Sequence, residues 1–213
     1  MRKVFRLNEI KGIVMKKFIS LMFILLLLCS CLTGCFVITK EVDVKDKKTE
    51  PSFENAITEE EIKALLSENA YCNINLFTVS SLWPKGDALK DHIYEADTEK
   101  FADYKAFKKY LSNIYTADYV KYLLNDYPEK GNPLYVNIDG KLCINANLMA
   151  GRGYDVNWDN PKITIKEQTE TESTFEATVS KTESGKNTKS EDYTVTVTAV
   201  YENGKWLLPE IIS

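Results

Sequence analysis

Three stretches near the C-terminus decide the fold: KITIKEQ (162–168), TFEATVSKT (174–182) and DYTVTVTAVY (192–201). Apolar residues take every second place in each: Ile163 and Ile165; Phe175, Ala177 and Val179; Tyr193, Val195, Val197 and Ala199. Period two is the signature of a half-buried antiparallel strand, with threonine, lysine and glutamate left for the solvated side. Asn203-Gly204 then supplies a two-residue hairpin turn, which returns the chain into KWLLPEI (205–211). Upstream, 134–138 and 141–145 flank Asp139-Gly140 and predict a second hairpin.

Before residue 128 the period changes from 2 to 3.6. Thr58 and Glu61 form a capping-box pattern, and Ile57 can pack on Ile62 across the helix start. Ile62, Leu65, Leu66, Cys72, Leu76 and Phe77 follow at helical spacing. Trp83-Pro84-Lys85-Gly86-Asp87 reads as a break, and 92–96 as a short extended piece. A second helix begins near Asp103 and carries Phe107, Leu111 and Ile114. Thr116 caps a third, with Tyr119, Val120, Leu123 and Leu124. The expected class is α+β: two or three N-terminal helices packed on one face of a curved antiparallel sheet, a cystatin/NTF2-like layout. The 157 residues from Ile57 onward bury roughly 70% of their unfolded surface at that size, enough for one core without disulfides.

The N-terminus reads as an export signal. Lys16-Lys17 precede FISLMFILLLL (18–28), and small residues follow up to Gly34-Cys35. A spanning helix needs ~20 apolar residues, more than this run has. Leu32-Thr33-Gly34-Cys35 resembles the bacterial lipobox, which implies lipidation of Cys35 by a diacylglyceryl group and cleavage before it. The signal is complete from Met15, and Lys11-Gly12 is compatible with the codons AAA-GGA, a purine run of the kind that precedes a bacterial start codon. Met15 is therefore an alternative translation start. The expected organisation is a signal peptide over 1–34, a charged tether over 35–56 and one domain over 57–213, held on the outer face of the cytoplasmic membrane.

Charge and composition exclude several classes. The chain carries 27 Lys+Arg against 31 Asp+Glu. Residues 1–34 hold six cations and one anion, so 35–213 carry 21 against 30, a formal −9. Such a body repels phosphate, which argues against a nucleic-acid partner. There is one histidine, His92, so no site needing two histidines can be built. No phosphate-binding glycine loop occurs, and no cofactor or metal is expected. Of five cysteines, Cys72 and Cys143 remain in the mature body; both sit in apolar patterns and read as separate core thiols. No catalytic residues are assigned. The tyrosines of the helical region (Tyr104, Tyr110, Tyr115, Tyr119, Tyr122 and Tyr127) have the chemistry for stacking on sugars, but helical spacing makes them core edges.

The connection over 146–161 lacks periodicity and is long for a compact domain, where such loops are functional or disordered. It holds Leu148, Met149, Tyr154 and Trp158, with Gly151 and Gly153 on either side of Arg152. Exposed, these aromatics would be binding anchors; folded back, Tyr154 and Trp158 would cover the end of the sheet. Asp155 and Asp159 flank Trp158 as acid–base or Ca²⁺ candidates, or as makers of local turns.

Tyr115-Thr116-Ala117-Asp118-Tyr119-Val120-Lys121, Gly140-Lys141-Leu142, Trp158-Asp159 and Asn203-Gly204-Lys205-Trp206, in that order, resemble the DL-endopeptidase inhibitor (IseA) family of Gram-positive bacteria. The resemblance implies a non-enzyme that binds NlpC/P60-type peptidoglycan hydrolases and blocks their cysteine-dependent cleft with a loop. Gly151, Arg152, Gly153, Tyr154 and Asp155, with Trp158 beside them, are the positional match to that loop. Two other readings stand next to it. One is an NTF2-like lipoprotein holding a small ligand in the concave face of the sheet. The other is a hydrolase using His92 with Asp155 or Asp159.

Overall fold

A computed structural model describes residues 54–149, 151, 153, 156–182 and 190–213. The calls on the signal peptide, Cys35, Met15 and most of the tether lie outside the described residues. All the described residues fall in one unit, Thr49–Ser213, and none of their helices is long and apolar enough to cross a membrane.

The first helix, α1 (Glu59–Tyr71), starts as the sequence predicts. Thr58 Oγ1 accepts from the Glu61 backbone N–H at 3.2 Å, and the Thr58 N–H donates to Glu61 Oε2 at 2.8 Å. Two backbone donors at the helix start are thereby paired. Ile57 and Ile62 are buried on either side of the cap. Gln168 clasps Ile57 from the sheet: its Oε1 accepts from the Ile57 N–H at 2.6 Å and its Nε2 donates to the Ile57 carbonyl at 3.3 Å. α1 widens into a π-helical turn, Cys72–Phe77, where the Thr78 and Val79 N–H groups both donate to the Asn73 carbonyl at 3.0 Å.

A strand hairpin follows where the sequence suggests a break. β1 (Trp83–Lys90) pairs with β2 (Ile93–Asp97) through Trp83↔Asp97, Pro84↔Ala96 and Lys85↔Glu95, then shifts register before Lys90↔Ile93. Pro84 is tolerated because β1 is an edge strand and needs no outward N–H. The turn is Asp91-His92, both with positive φ (27° and 64°). Next come α2 (Tyr104–Leu111), capped by Asp103 Oδ1 on the Ala106 N–H at 2.6 Å, and α3 (Ala117–Asn125). Thr116 stands at the start of α3 as expected, but its side chain makes no cap bond. Its backbone serves instead: the Thr116 N–H donates to the Leu208 carbonyl at 3.0 Å, and the Leu208 N–H to Ile114 at 2.7 Å, tying the C-terminal segment to the helices.

The two-residue strands β3 (Pro128–Glu129) and β4 (Asn132–Pro133) make a small hairpin. β5 (Tyr135–Ile138) and β6 (Lys141–Asn145) pair around Asp139-Gly140, whose φ values of 51° and 86° suit a left-handed two-residue turn. The C-terminal strands are β7 (Val156–Gln168), β8 (Glu172–Thr182), β9 (Ser190–Glu202) and β10 (Lys205–Leu207), the last two joined by Asn203-Gly204.

The architecture is α+β: the described residues form three α-helices with antiparallel sheets. Apart from the β3–β4 hairpin, the described strands divide between two four-stranded sheets, in the orders β1-β2-β6-β5 and β10-β9-β8-β7, instead of forming one. The unexpected β1–β2 hairpin supplies β6 with a neighbour, so β6 does not join the C-terminal strands. α1 packs on β7, α2 on β6 and α3 on β4. One core joins them, including Ile62, Leu66, Phe107, Leu123, Tyr135 and Phe175. Cys72 and Cys143 are both buried and unpaired, as expected of core thiols.

Candidate functional site

The loop that the sequence singles out is shorter than it looked. Its first part is a 3₁₀ turn, Ala146–Leu148, capped by Asn145 Oδ1 on the Asn147 N–H at 3.2 Å. The Ala146 N–H donates to the His92 carbonyl at 2.9 Å, so the loop departs from the β1–β2 turn. Leu148 and Met149 pack against the core and anchor this end. Gly151 and Gly153 are exposed and lie outside any helix or strand. A Cβ placed on Gly151 would meet only the Val79 carbonyl, at 4.0 Å, and one on Gly153 would meet nothing within that distance. Neither glycine has a left-handed φ, so neither is demanded by backbone conformation. Their contribution is a low, unobstructed profile. Arg152, Tyr154 and Asp155 lie outside the described residues.

Trp158 is not an exposed anchor. It belongs to β7 and is 5% exposed, part of the core. The sequence hides this because β7 slips register between Asn157 and Lys162, which interrupts the alternation that Val156 and Trp158 begin. Asp159 uses its backbone locally: its N–H donates to Asn157 Oδ1 at 2.8 Å, an Asx-type turn.

The chemistry sought elsewhere is dispersed. His92 is an exposed turn residue. Among the described residues no three His, Cys, Asp or Glu side chains come together as a metal site. Burial pushes the Cys72 thiol up to about 12, holding it protonated and unreactive at neutral pH. Burial also raises Cys143. The helical tyrosines form a ring series: Tyr115 and Tyr119 meet edge to face with centroids 5.4 Å apart, and Tyr119 and Tyr122 are tilted with centroids 5.5 Å apart. Tyr115 is buried and donates to Asn69 Oδ1 at 3.0 Å. Most of them are core or core-edge residues, as their spacing predicts, and Tyr122 is exposed.

One concavity was not legible in the sequence. A cavity of about 860 Å³ opens between α1, the residues just after α2, and the β9–β10 turn. Trp206 stands in its wall, fixed by Nε1 donating to the Asn55 carbonyl at 2.8 Å and by a ring contact with Tyr201 at 5.2 Å. The cavity is separate from the inward rows of the C-terminal sheet, where Phe175, Ala177, Val179, Val197 and Ala199 are buried in the core. Side chains fill the place where a ligand-binding concave face would be.

The folded unit coincides with the extent of a known family. No curated protein matches the chain individually. The family model described as IseA DL-endopeptidase inhibitor matches residues 53–211, from just before the Asn55 and Ile57 contacts to the last strand and beyond. That span takes in every helix and strand described above, and the chain belongs to the IseA DL-endopeptidase inhibitor family.

Proposed function

We propose that the protein is a lipid-anchored, extracytoplasmic inhibitor of NlpC/P60-type peptidoglycan hydrolases, acting by occlusion and not by catalysis. The observation that carries this reading is the family match over the whole folded unit, 53–211. Cys35 receives the lipid and the tether over 35–56 joins it to the domain; two acyl chains hold a protein on a bilayer stably where one does so only marginally. The acidic body, −9 from residue 35 onward, steers encounter with a cationic hydrolase. Screening limits its reach to ~8 Å at physiological salt, so charge sets the on-rate more than the affinity.

The occluding element is the 151–155 loop. It leaves the core at Met149 and re-enters it at Val156, and its exposed glycines present bare backbone to a narrow cleft. Tyr154 is its anchor. With Trp158 in the core, this loop carries fewer aromatic contacts than its sequence offers. The test is a peptidoglycan-cleavage assay with several NlpC/P60 enzymes, titrated with the purified protein. Dose-dependent loss of cleavage is expected, relieved by the double substitution of Gly151 and Gly153 to proline. Unchanged cleavage across all the enzymes would refute inhibition; full inhibition by the double-proline variant would move the contact surface off this loop. Cys35→Ser is expected to release the protein from the membrane fraction, and retention there at wild-type mass would refute the anchor.

A further inference from the structure

The cavity beside α1 has the construction of a binding site, and neither Gly151 nor Gly153, the described residues of the loop, lines it. Its volume, about 860 Å³, lies within the range of ligand clefts. Ile57, Leu65 and Ile114 are buried and supply an apolar floor, and Trp206 and Tyr201 supply an aromatic wall. Glu54, Glu61 and Glu68 stand among the lining residues. Glu61 and Glu68 are seven residues apart on α1, two turns along one flank, or roughly 10 Å at 1.5 Å per residue.

The one cation in the lining does not offset them for an incoming ligand. Lys205 Nζ donates to the Ser112 carbonyl at 2.9 Å and to Asn113 Oδ1 at 2.8 Å, bracing β10 against the end of α2. At the Glu68 end, the molecule already shows what this surface binds. Lys100 Nζ lies 3.7 Å from the centroid of Tyr71 and 4.4 Å from that of Tyr110, with Glu68 Oε2 at 3.5 Å. A lysine ammonium is held there by two aromatic faces and a carboxylate, the combination that favours a partly desolvated cation.

We propose that the α1–β10 cleft is a second binding site, which takes an extended lysine-bearing segment of a protein partner. Lysine stems lie on the apolar floor and against Trp206, since four methylenes bury well while the ammonium stays polar. The ammonium groups face Glu54 and Glu61, the carboxylates not occupied by Lys100. Such a site adds a second point of attachment without competing for the 151–155 loop, and two linked contacts raise avidity beyond either alone. The proposal does not depend on the inhibitor reading, because it concerns a peptide and not a hydrolase active site.

The test is titration of the full, detergent-solubilised chain with an acetylated, amidated pentalysine peptide, followed by amide and indole nuclear magnetic resonance shifts. Pentaglutamate at matched ionic strength is the control. Saturable shifts confined to Ala64, Asn113, Gly204 and the Trp206 indole are expected. Ala64 is exposed on α1 and lines the cleft, so Ala64→Trp fills the cleft without disturbing the core. It should weaken binding by about tenfold or more, the loss expected when a central contact is blocked. Glu61→Gln retains an oxygen for the helix cap and should weaken binding about two- to fivefold, the scale of one exposed charge pair. Shifts spread over the whole acidic surface, or undiminished binding by a folded Ala64→Trp variant, would overturn the proposal and leave non-specific charge attraction. Shifts at the same four residues on replacing Lys45, Lys47 and Lys48 by alanine, with no peptide present, would also overturn it, because the cleft would then serve the chain's own tether.

Discussion

The two four-stranded sheets are built on different principles. In β10-β9-β8-β7 the strands β7, β8 and β9 are long, and β8 pairs with β9 from Glu172↔Val200 to Thr182↔Ser190 without a slip, although β7 slips against β8. Most of its inward positions are hydrocarbon, as in Phe175 opposite Val197 and Ala177 opposite Val195, with buried Ser173 opposite Ala199 a polar exception. In β1-β2-β6-β5 no strand exceeds eight residues, and polar side chains make several of its ties, such as the Lys141–Glu95 ion pair and the Tyr135 hydroxyl. Tyr135 is the clearest case. Its buried hydroxyl donates to the Leu76 carbonyl at 2.7 Å and accepts from the Leu82 N–H at 3.0 Å, linking the π-helical turn to the approach of β1. The same division runs from α1 into the π-helical turn that follows it. Asn69 is buried and fully engaged with Tyr115 and Ile212, whereas Asn73, one turn on, is equally buried with neither side-chain polar atom bonded among the described residues. Alternating hydrophobicity specifies one half of the molecule; placed hydroxyls and amides specify the other.

If that division is correct, the largest loss comes from deleting hydrocarbon in the C-terminal sheet. Phe175→Ala removes a fully buried ring that faces Val197 on one strand and Ile165 on the other. It should cost about 3–5 kcal/mol, transfer and cavity terms together. Urea denaturation measures this, and a loss below ~1 kcal/mol would show that the sheet's core is not what holds it.

Alkaline pH should act on the helical half. Cys72 is raised to about 12, first by burial, and burial also raises Tyr110 and Tyr115 above the usual phenol range. An acid whose folded pKa is raised binds its proton more tightly in the folded state. Its stabilisation is complete below the unfolded pKa and disappears as pH climbs toward the folded one. For Cys72 that window opens near 9 and closes near 12. Within it stability should fall by up to ~1.4 kcal/mol per pH unit for each such group. Cys72→Ala should flatten the slope measured by denaturant titrations between pH 9 and 11, whatever it does to stability at neutral pH; an unchanged slope would remove the thiol from the account.

Tyr135→Phe keeps the ring and removes only the bridging hydroxyl. Two buried backbone groups, Leu76 C=O and Leu82 N–H, lose their partner, so about 1–3 kcal/mol is expected. Amide exchange at Leu82 should accelerate beyond the global change. A neutral substitution would mean that the N-terminal sheet, too, is held by hydrocarbon alone.

The contrast also explains what was legible. The capping box at Thr58, the Asp139-Gly140 and Asn203-Gly204 turns and the alternation of β8 and β9 are local signals, and each led to the correct element. β1 was not legible because Trp83, Pro84 and Gly86 suit an edge strand only once β2 is beside them. The start of β7 was hidden by its slip at 157–162. For the same reason Trp158, an aromatic in an apparently polar loop, could be read as an anchor or as a cover for the sheet end, and it is the second, a core residue. The short motifs that resembled the family mark structural positions. Tyr115 is buried, Thr116 binds Leu208, Gly140 turns a hairpin, and Trp206 is bonded to Asn55. They report the fold more than the contact surface. The α1–β10 cleft was invisible because its walls come from residues some 140 apart in sequence, Glu61 and Lys205.

The smallest effect concerns the solvated face of the C-terminal sheet, where the two building principles meet. Thr174 and Thr198 lie opposite each other with hydroxyls 3.0 Å apart, and Thr178 and Thr194 with hydroxyls 2.8 Å apart. These are placed hydroxyls, like that of Tyr135, but water competes for them. Cross-strand threonine pairs contribute roughly 0.2–1 kcal/mol, against the 1–3 expected for a buried bridge. A double-mutant cycle on Thr178→Ala and Thr194→Ala isolates the pair term, because each single change removes the interaction without opening the core. A coupling energy within ~1 kcal/mol keeps the hydrocarbon rows as the main specification of this sheet. A larger value would place part of that specification on its outer face, and the distinction between the halves would narrow to one of burial.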